Sequence, residues 1–241
     1  MEIIYLAAGR GSRLKKETKQ LPKCLVEING KSILEHNLNF LQNFKRINIV
    51  TGYKSVLIKK KLAKYKIIKK NINFIYNREF KKTNMVYSAF LAKPKEKDIV
   101  ICYGDIIFSS KIYNLILRSK IKNYIFVKKN WFNLWKKRMS YKKILADAED
   151  IKIKQEELKS IGGHITKLPS YQYMGILKMK SAVFKKLKKF FLKNNNIIDF
   201  TTFINSAIKL KIVKFKVIKT NCYWFEIDTP KDITVTEKYL S

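Results

Sequence analysis

Short apolar runs alternate with longer amphipathic stretches through the first half of the chain, and this alternation restricts the fold more than any other feature. EIIYL (2–6), INIVTG (47–52), INFIY (72–76) and DIVICYGD (98–105) have the length and the branched residues of buried strands. Between them, SILEHNLNFLQNF (32–44), SVLIKKKLAKY (55–65) and NMVYSAFLAK (84–93) repeat apolar residues at helical spacing. A βαβαβα order implies a parallel-rich sheet covered by helices. Ligands of such sheets sit beyond the carboxyl ends of the strands. Two distinctive segments fall at such ends, AAGRGSR after the first strand and YGD at the end of the fourth.

The second half is less regular. IFVKK (125–129), EDIKIK (149–154), LKSIGG (158–163) and YMGILKM (173–179) read as strands, some of them antiparallel. Helices are expected over 180–194 and 197–209, then a strand at IVKFKVIK (212–219) and the segment CYWFEIDTP (222–230). A terminal helix is expected from Pro230, with Thr229 as its cap. No linker or repeat divides the chain, so 1–241 is read as one domain.

Composition excludes several classes. Apolar residues make up 46% and aromatic residues 13% of the chain, which fits a globular protein and not a disordered one. No apolar run approaches the roughly 20 residues of a membrane span. The first strand and its loop occupy the start of the sequence, which leaves no secretory signal there. Cys24, Cys102 and Cys222 are odd in number and widely spaced, so they read as reduced thiols of a cytoplasmic protein. The net charge of +34 comes almost wholly from lysine, spread along the chain without a basic arm. It reads as a solvated lysine-rich surface that attracts anions at low salt, and no specific nucleic-acid site is expected.

The stretch LAAGRGSRL (6–14) turns from a buried strand into glycines and two arginines. Gly9 and Gly11 permit positive φ and a close approach to backbone, and Arg10 and Arg13 point to an anionic guest. The pattern is neither GxGxxG nor GxxxxGK[ST], so dinucleotide and P-loop readings are weak. Asp105 follows a strand and Asp228 stands at a strand-to-helix junction, and two such carboxylates suit a hard divalent ion that also binds phosphate. Glu226 shares a face with Asp228 in an extended segment. Asn84 and Ser88 stand at i and i+4 on one helical face, with Thr83 as an alternative cap. Trp131, Trp135 and Arg138 also share a helical face, and Asp147 and Glu149 are spaced for one side of a strand. His36 and His164 lack metal-ligand spacing and read as structural.

The glycine loop with Arg13, followed by Pro22-Lys23, resembles the nucleotidyltransferase superfamily of sugar-nucleotide pyrophosphorylases and cytidylyltransferases. Lys16 departs from it, because many relatives carry proline there. The W-x3-W-x2-R segment, the later DAE and QYMG resemble the bacterial choline-phosphate and 2-aminoethylphosphonate cytidylyltransferases, and this resemblance covers nearly the whole chain. It implies a Rossmann-like three-layer αβα fold with a mixed, mostly parallel sheet and a small acceptor-binding lobe. Residues 1–120 would form the nucleotide-binding half and 121–241 the acceptor-binding half. It further implies transfer of CMP from CTP to a small phosphorylated or phosphonylated acceptor, with Mg²⁺ as cofactor and pyrophosphate released. Arg13, Lys23, Asp105 and Asp228 would be catalytic, with Mg²⁺ on Asp105 and Asp228. Leu6, Ala7, Ala8, Gly9, Gly11, Arg13, Lys23, Asn84, Ser88 and Asp105 would bind the nucleotide. Arg138, Asp147, Glu149, Tyr173 and Glu226 would bind the acceptor, with Asp147, Glu149 and Tyr173 on its amine, Arg138 on an acid group and Glu226 orienting a ligand or a metal-bound water. Three alternatives stand beside this reading: a sugar-1-phosphate nucleotidyltransferase using UTP or dTTP, an inactive relative that senses nucleotide, and a non-catalytic basic protein on nucleic acid or anionic lipid.

Overall fold

Thirteen strands, ten α-helices and two 3-10 helices (Ser12–Thr18 and Lys23–Leu25) follow one another in a computed structural model that describes residues 1–65, 71–165, 167–194 and 198–241. The first half contains β1 (Glu2–Ala7), β2 (Glu27–Ile28), β3 (Lys31–Ser32), α1 (Ile33–His36), α2 (Leu38–Leu41), β4 (Arg46–Thr51), α3 (Ser55–Leu62), β5 (Ile72–Tyr76), α4 (Met85–Leu91), β6 (Asp98–Tyr103), β7 (Ile106–Phe108) and α5 (Lys111–Arg118). The second half contains β8 (Tyr124–Lys128), α6 (Trp131–Arg138), α7 (Tyr141–Asp147), β9 (Ile151–Lys154), β10 (Glu157–Ile161), β11 (Gln172–Lys180), α8 (Ser181–Asn194), α9 (Phe200–Lys209), β12 (Lys216–Thr220), β13 (Trp224–Glu226) and α10 (Pro230–Leu240).

Nine strands form one sheet in the order β5-β4-β1-β6-β11-β8-β12-β10-β9. The four strands from the first half are parallel to one another, as their crossover helices require. β11 then enters antiparallel between β6 and β8, so one sheet runs through both halves. Every residue of β1 is buried, the pattern of a strand covered on both faces.

Several boundaries differ from the sequence expectation. The helix expected over 32–44 is two short ones, joined at the buried Asn37. Asn37 Nδ2 donates to the Ile106 carbonyl at 2.7 Å and to Tyr5 Oη at 3.3 Å, tying this helical segment to β7 and β1. The strand expected over 212–219 begins only at Lys216. The helix expected from 197 begins at Phe200, and residue 197 itself lies outside the described residues. Pro230 opens the last helix, and Thr229 caps it in a box with Asp232.

A two-stranded ribbon decides where the site lies. β13 runs antiparallel to β7, with Glu226 opposite Ile106. Ile227 N donates to the Asp105 carbonyl at 2.9 Å. The residues just before β7 and just after β13 are therefore neighbours in space.

Candidate active site

The loop after β1 turns at Gly11, whose φ is +74°. Its carbonyl accepts from Leu14 N at 3.0 Å and from Thr18 Oγ1 at 2.8 Å, which closes the hairpin. The side chain of Lys23 packs against Gly11 so closely that a Cβ there would stand 2.8 Å from its Cβ and Cγ. Gly9 differs from expectation, because its φ is not positive and a Cβ would meet nothing within 4 Å. The loop, the end of β1 and the start of α4 surround a cavity of about 270 Å³. Leu6, Ala7, Ala8, Gly9, Gly11, Arg13, Lys23, Asn84, Ser88 and Asp105 all line it.

Asn84, not Thr83, caps α4. Its Oδ1 accepts from Val86 N at 3.1 Å and Tyr87 N at 3.3 Å, and its Nδ2 donates to the Ile198 carbonyl. Ser88 Oγ accepts from Asn77 Nδ2 at 3.0 Å. Both side chains therefore form part of the wall with their polar groups already engaged.

Charge concentrates where the ribbon meets the loop. Lys23 Nζ lies 2.7 Å from Asp105 Oδ2 and 2.5 Å from Asp228 Oδ1. Arg13 Nη2 lies 2.8 Å from the same Asp228 oxygen. Burial opposes charge on Lys23, but Asp105 and Asp228 outweigh it and hold the ammonium protonated far beyond the ordinary range. Burial likewise disfavours the Asp228 carboxylate, and Lys23 and Arg13 together still pull its pKa down. Asp105 Oδ1 is buried without a hydrogen-bond partner. Two neighbouring carboxylates, one with a buried oxygen to spare, fit a hard divalent ion that takes its other ligands from phosphate and water. Among the described residues no cluster of three or more metal-ligating side chains occurs.

A second cavity of about 170 Å³ adjoins the first and shares Arg13, Met85 and Asp228 with it. Asp147, Glu149, Tyr173 and Glu226, which the sequence reading grouped together, all line it. Asp147 and Glu149 reach it otherwise than expected, because Asp147 ends α7 and Glu149 follows in the connection before β9. The sequence reading missed Tyr103, Trp224, Asp199 and Thr201, which also line the cavity. Asp199 had a readable signal, since it caps α9 by accepting from Thr202 N at 2.7 Å. Desolvation, opposed by a hydrogen bond from Thr201 and aided by Asp199 and Asp147, raises Glu149 to about 7. Burial, with Asp228 and Asp105 nearby, also pushes Glu226 well above the usual carboxylate range.

Arg138 is already engaged by the protein on one side. α6 does bury Trp131, Trp135 and Arg138 together. The guanidinium lies 4.3 Å from the Trp135 ring centroid and donates to Asp232 Oδ1 at 3.0 Å and to the Glu226 carbonyl at 3.3 Å. Asp232 Oδ2 in turn accepts from Asp228 N at 3.0 Å and Thr229 N at 2.7 Å. Arg138 thus supports the segment that carries Glu226 and Asp228, while its Nε and Nη2 keep no hydrogen-bond partner among the described residues and it lines, with Arg13, Asp147 and Asp228, a further cavity of about 570 Å³. Trp131 Nε1 donates to the Pro169 carbonyl at 2.9 Å, whereas Trp135 lines the cavity. His36 bonds the Ile28 carbonyl at 2.9 Å, in keeping with a structural role.

A parallel-rich sheet that gathers a glycine hairpin, two carboxylates and two basic side chains at the end of its first strand marks the chain as a nucleotidyltransferase. Residues 3–130 match the MobA-like NTP transferase domain, and the chain belongs to that family. It is 30% identical to the CTP:phosphoglutamine cytidylyltransferase of Campylobacter jejuni, over 98% of both chains. It is 33% identical to the choline-phosphate cytidylyltransferase of Haemophilus influenzae over 56% of both chains. Among solved structures, the inositol-1-phosphate CTP transferase of T. maritima superposes with a TM-score of 0.77 at 21% identity, over 98% of this chain and 95% of that one. The CTP:phosphocholine cytidylyltransferase of Streptococcus pneumoniae superposes with a TM-score of 0.75 at 19% identity, over 100% and 99%. At those identities the likeness concerns the fold.

Proposed function

We propose that the chain transfers CMP from CTP to a small phosphorylated or phosphonylated acceptor bearing an ammonium group, of the phosphocholine, aminoethylphosphonate or phosphoglutamine type, and releases pyrophosphate. The observation that carries this reading is the pair of adjoining cavities that meet at Arg13 and Asp228, one rimmed by the glycine hairpin and the other walled by carboxyl groups and aromatic rings. Carboxylates and ring faces suit an organic cation. The relatives named for phosphoglutamine and choline phosphate support the acceptor class and the choice of CTP.

An acceptor phosphate has a second pKa of about 6 and is already ionised near neutral pH, so attack needs no strong general base. Its oxygen forms a bond to the α-phosphorus of CTP as the bond from that phosphorus to the oxygen bridging to the β-phosphate breaks. The electron pair leaves with pyrophosphate. Lys23 and Arg13 neutralise charge that develops on the phosphates. The hairpin N–H groups and the end of β1 hold the nucleotide, and Asp147, Glu149 and Tyr173 hold the amine end. Asp105 and Asp228 would hold Mg²⁺, which when bound supplies charge neutralisation at the α-phosphate.

Pyrophosphate release tested with each of the four common NTPs against phosphocholine, aminoethylphosphonate, phosphoglutamine and hexose 1-phosphates decides the reading. Turnover with CTP and an ammonium-bearing acceptor is expected. Turnover confined to UTP or dTTP with a hexose 1-phosphate overturns it in favour of a sugar-nucleotide pyrophosphorylase.

A further inference from the structure

Thr201 Oγ1 stands between two carboxyl groups in the wall of the second cavity. It contacts Glu149 Oε1 and lies 2.8 Å from Asp199 Oδ1. A threonine hydroxyl has one proton and donates once, whereas ionised carboxylates only accept. Two ionised neighbours would leave one of these contacts without a hydrogen. One of the two carboxyl groups therefore carries a proton.

The surroundings decide which. Asp199 also accepts from Thr202 N at 2.7 Å and from Thr202 Oγ1 at 2.6 Å. Burial opposes its charge, but these donors keep it ionised below the usual carboxylate range. Glu149 has no salt-bridge partner among the described residues. Asp199 and Asp147 act on it as like charges, and the phenols of Tyr103 and Tyr173 face it from β6 and β11. Arg13, the basic side chain that lines this cavity, is engaged with Asp228 at 2.8 Å and Asp147 at 3.8 Å. The remaining carboxyl groups of the cavity are Glu226 and Asp228. The hydrogen-bond chain thus runs from the Glu149 carboxylic acid to Thr201 and on to the Asp199 carboxylate.

We propose that Glu149 is a proton-exchanging selectivity residue: it receives the acceptor's ammonium only as a carboxylate, so an acceptor that binds the protonated form expels that proton from Glu149 to solvent. The inference rests on reading the second cavity as the acceptor site. An ammonium takes the place of the lost proton, and Thr201 then donates to one of two ionised neighbours. A neutral head group offers nothing to replace that proton, so the empty cavity favours cations without displaying a bare buried charge. With Glu149 near 7, binding weakens as the medium is acidified. The dissociation constant should rise roughly tenfold between pH 8 and pH 6.

The test is calorimetric titration of phosphocholine into the full chain with Mg²⁺ and α,β-methylene-CTP, in two buffers of unequal ionisation enthalpy. Proton release should approach one per phosphocholine at pH 6 and vanish by pH 8, beyond what the phosphate itself contributes. Glu149→Gln should lose the excess and keep the phosphate's share. Thr201→Val keeps the carboxyl, so its release should persist. Equal release from the wild type and Glu149→Gln overturns the inference while leaving the acceptor reading intact. No binding of phosphocholine, aminoethylphosphonate or phosphoglutamine overturns the acceptor reading and the inference with it.

Discussion

Lys23 Nζ lies 2.5 Å from Asp228 Oδ1, although 205 positions separate the two residues in the chain. The same ammonium meets Asp105 at 2.7 Å, so one lysine holds together both carboxylates proposed to bind metal. Lys23→Met would leave Asp105 without its cation and Asp228 with Arg13 alone, at 2.8 Å. We expect kcat/KM to fall on the order of 10²–10³, as for loss of a group that stabilises transition-state charge. The thermal midpoint should also fall in metal-free buffer and recover partly on adding Mg²⁺, because the ion can take over the neutralising role. A variant whose midpoint ignores Mg²⁺ would count against the two-aspartate site.

Arg138 and Asp232 form a buried pair whose far side grips the main chain of Asp228 and Thr229. Breaking a buried pair by removing one partner costs about 3–5 kcal/mol. Arg138→Met and Asp232→Asn should each lower urea-unfolding stability on that scale and reduce kcat through a displaced Asp228. The double variant should cost less than the sum of the two singles. Strict additivity would mean that the pair does not act as a unit.

Gly11→Ala places a methyl group 2.8 Å from the Lys23 stem and keeps a φ of +74°. Strain in the left-handed region costs about 1–2 kcal/mol. Activity should fall much further than stability, because the displaced group is Lys23. Gly9→Ala, which meets nothing within 4 Å, should keep the wild-type thermal midpoint. Equal effects of both alanines on that midpoint would contradict this account of the hairpin.

Burial opposes the charge on Glu35, but hydrogen bonds from Lys61, Ser32 and Tyr65 outweigh it and lower the carboxyl from 4.5 to about 2. A pKa depressed in the folded state contributes stability above the unfolded value and loses it as pH falls through the folded one. The wild type should therefore lose stability between about pH 4.5 and pH 2 partly through Glu35. Glu35→Gln should be less stable than the wild type at pH 7, and the gap should close toward pH 2. A gap that does not change with pH would sink this assignment.

Local pattern determined much of this protein. Every residue of the apolar run 72–76 lies in β5, and the Pro230 helix begins where a proline at the first helical position requires. Strand-end logic also put the glycine loop and Asp105 beyond the carboxyl ends of β1 and β6, because period and turn chemistry act over a few residues. The partners of long-range contacts were decided only by the tertiary structure. Sequence spacing suggested a strand for Asp147 and Glu149, but a helix end and a connection bring them to the cavity. Arg138 looked free to meet a ligand, yet packing brings Asp232 to it at 3.0 Å. Asp199 and Thr201 joined the site because α9 packs against it, and Asp105 met Asp228 because β7 pairs with β13. Burial, which sets the charge state of Glu149, depends on which distant segments exclude water, and no short stretch of sequence carries that information.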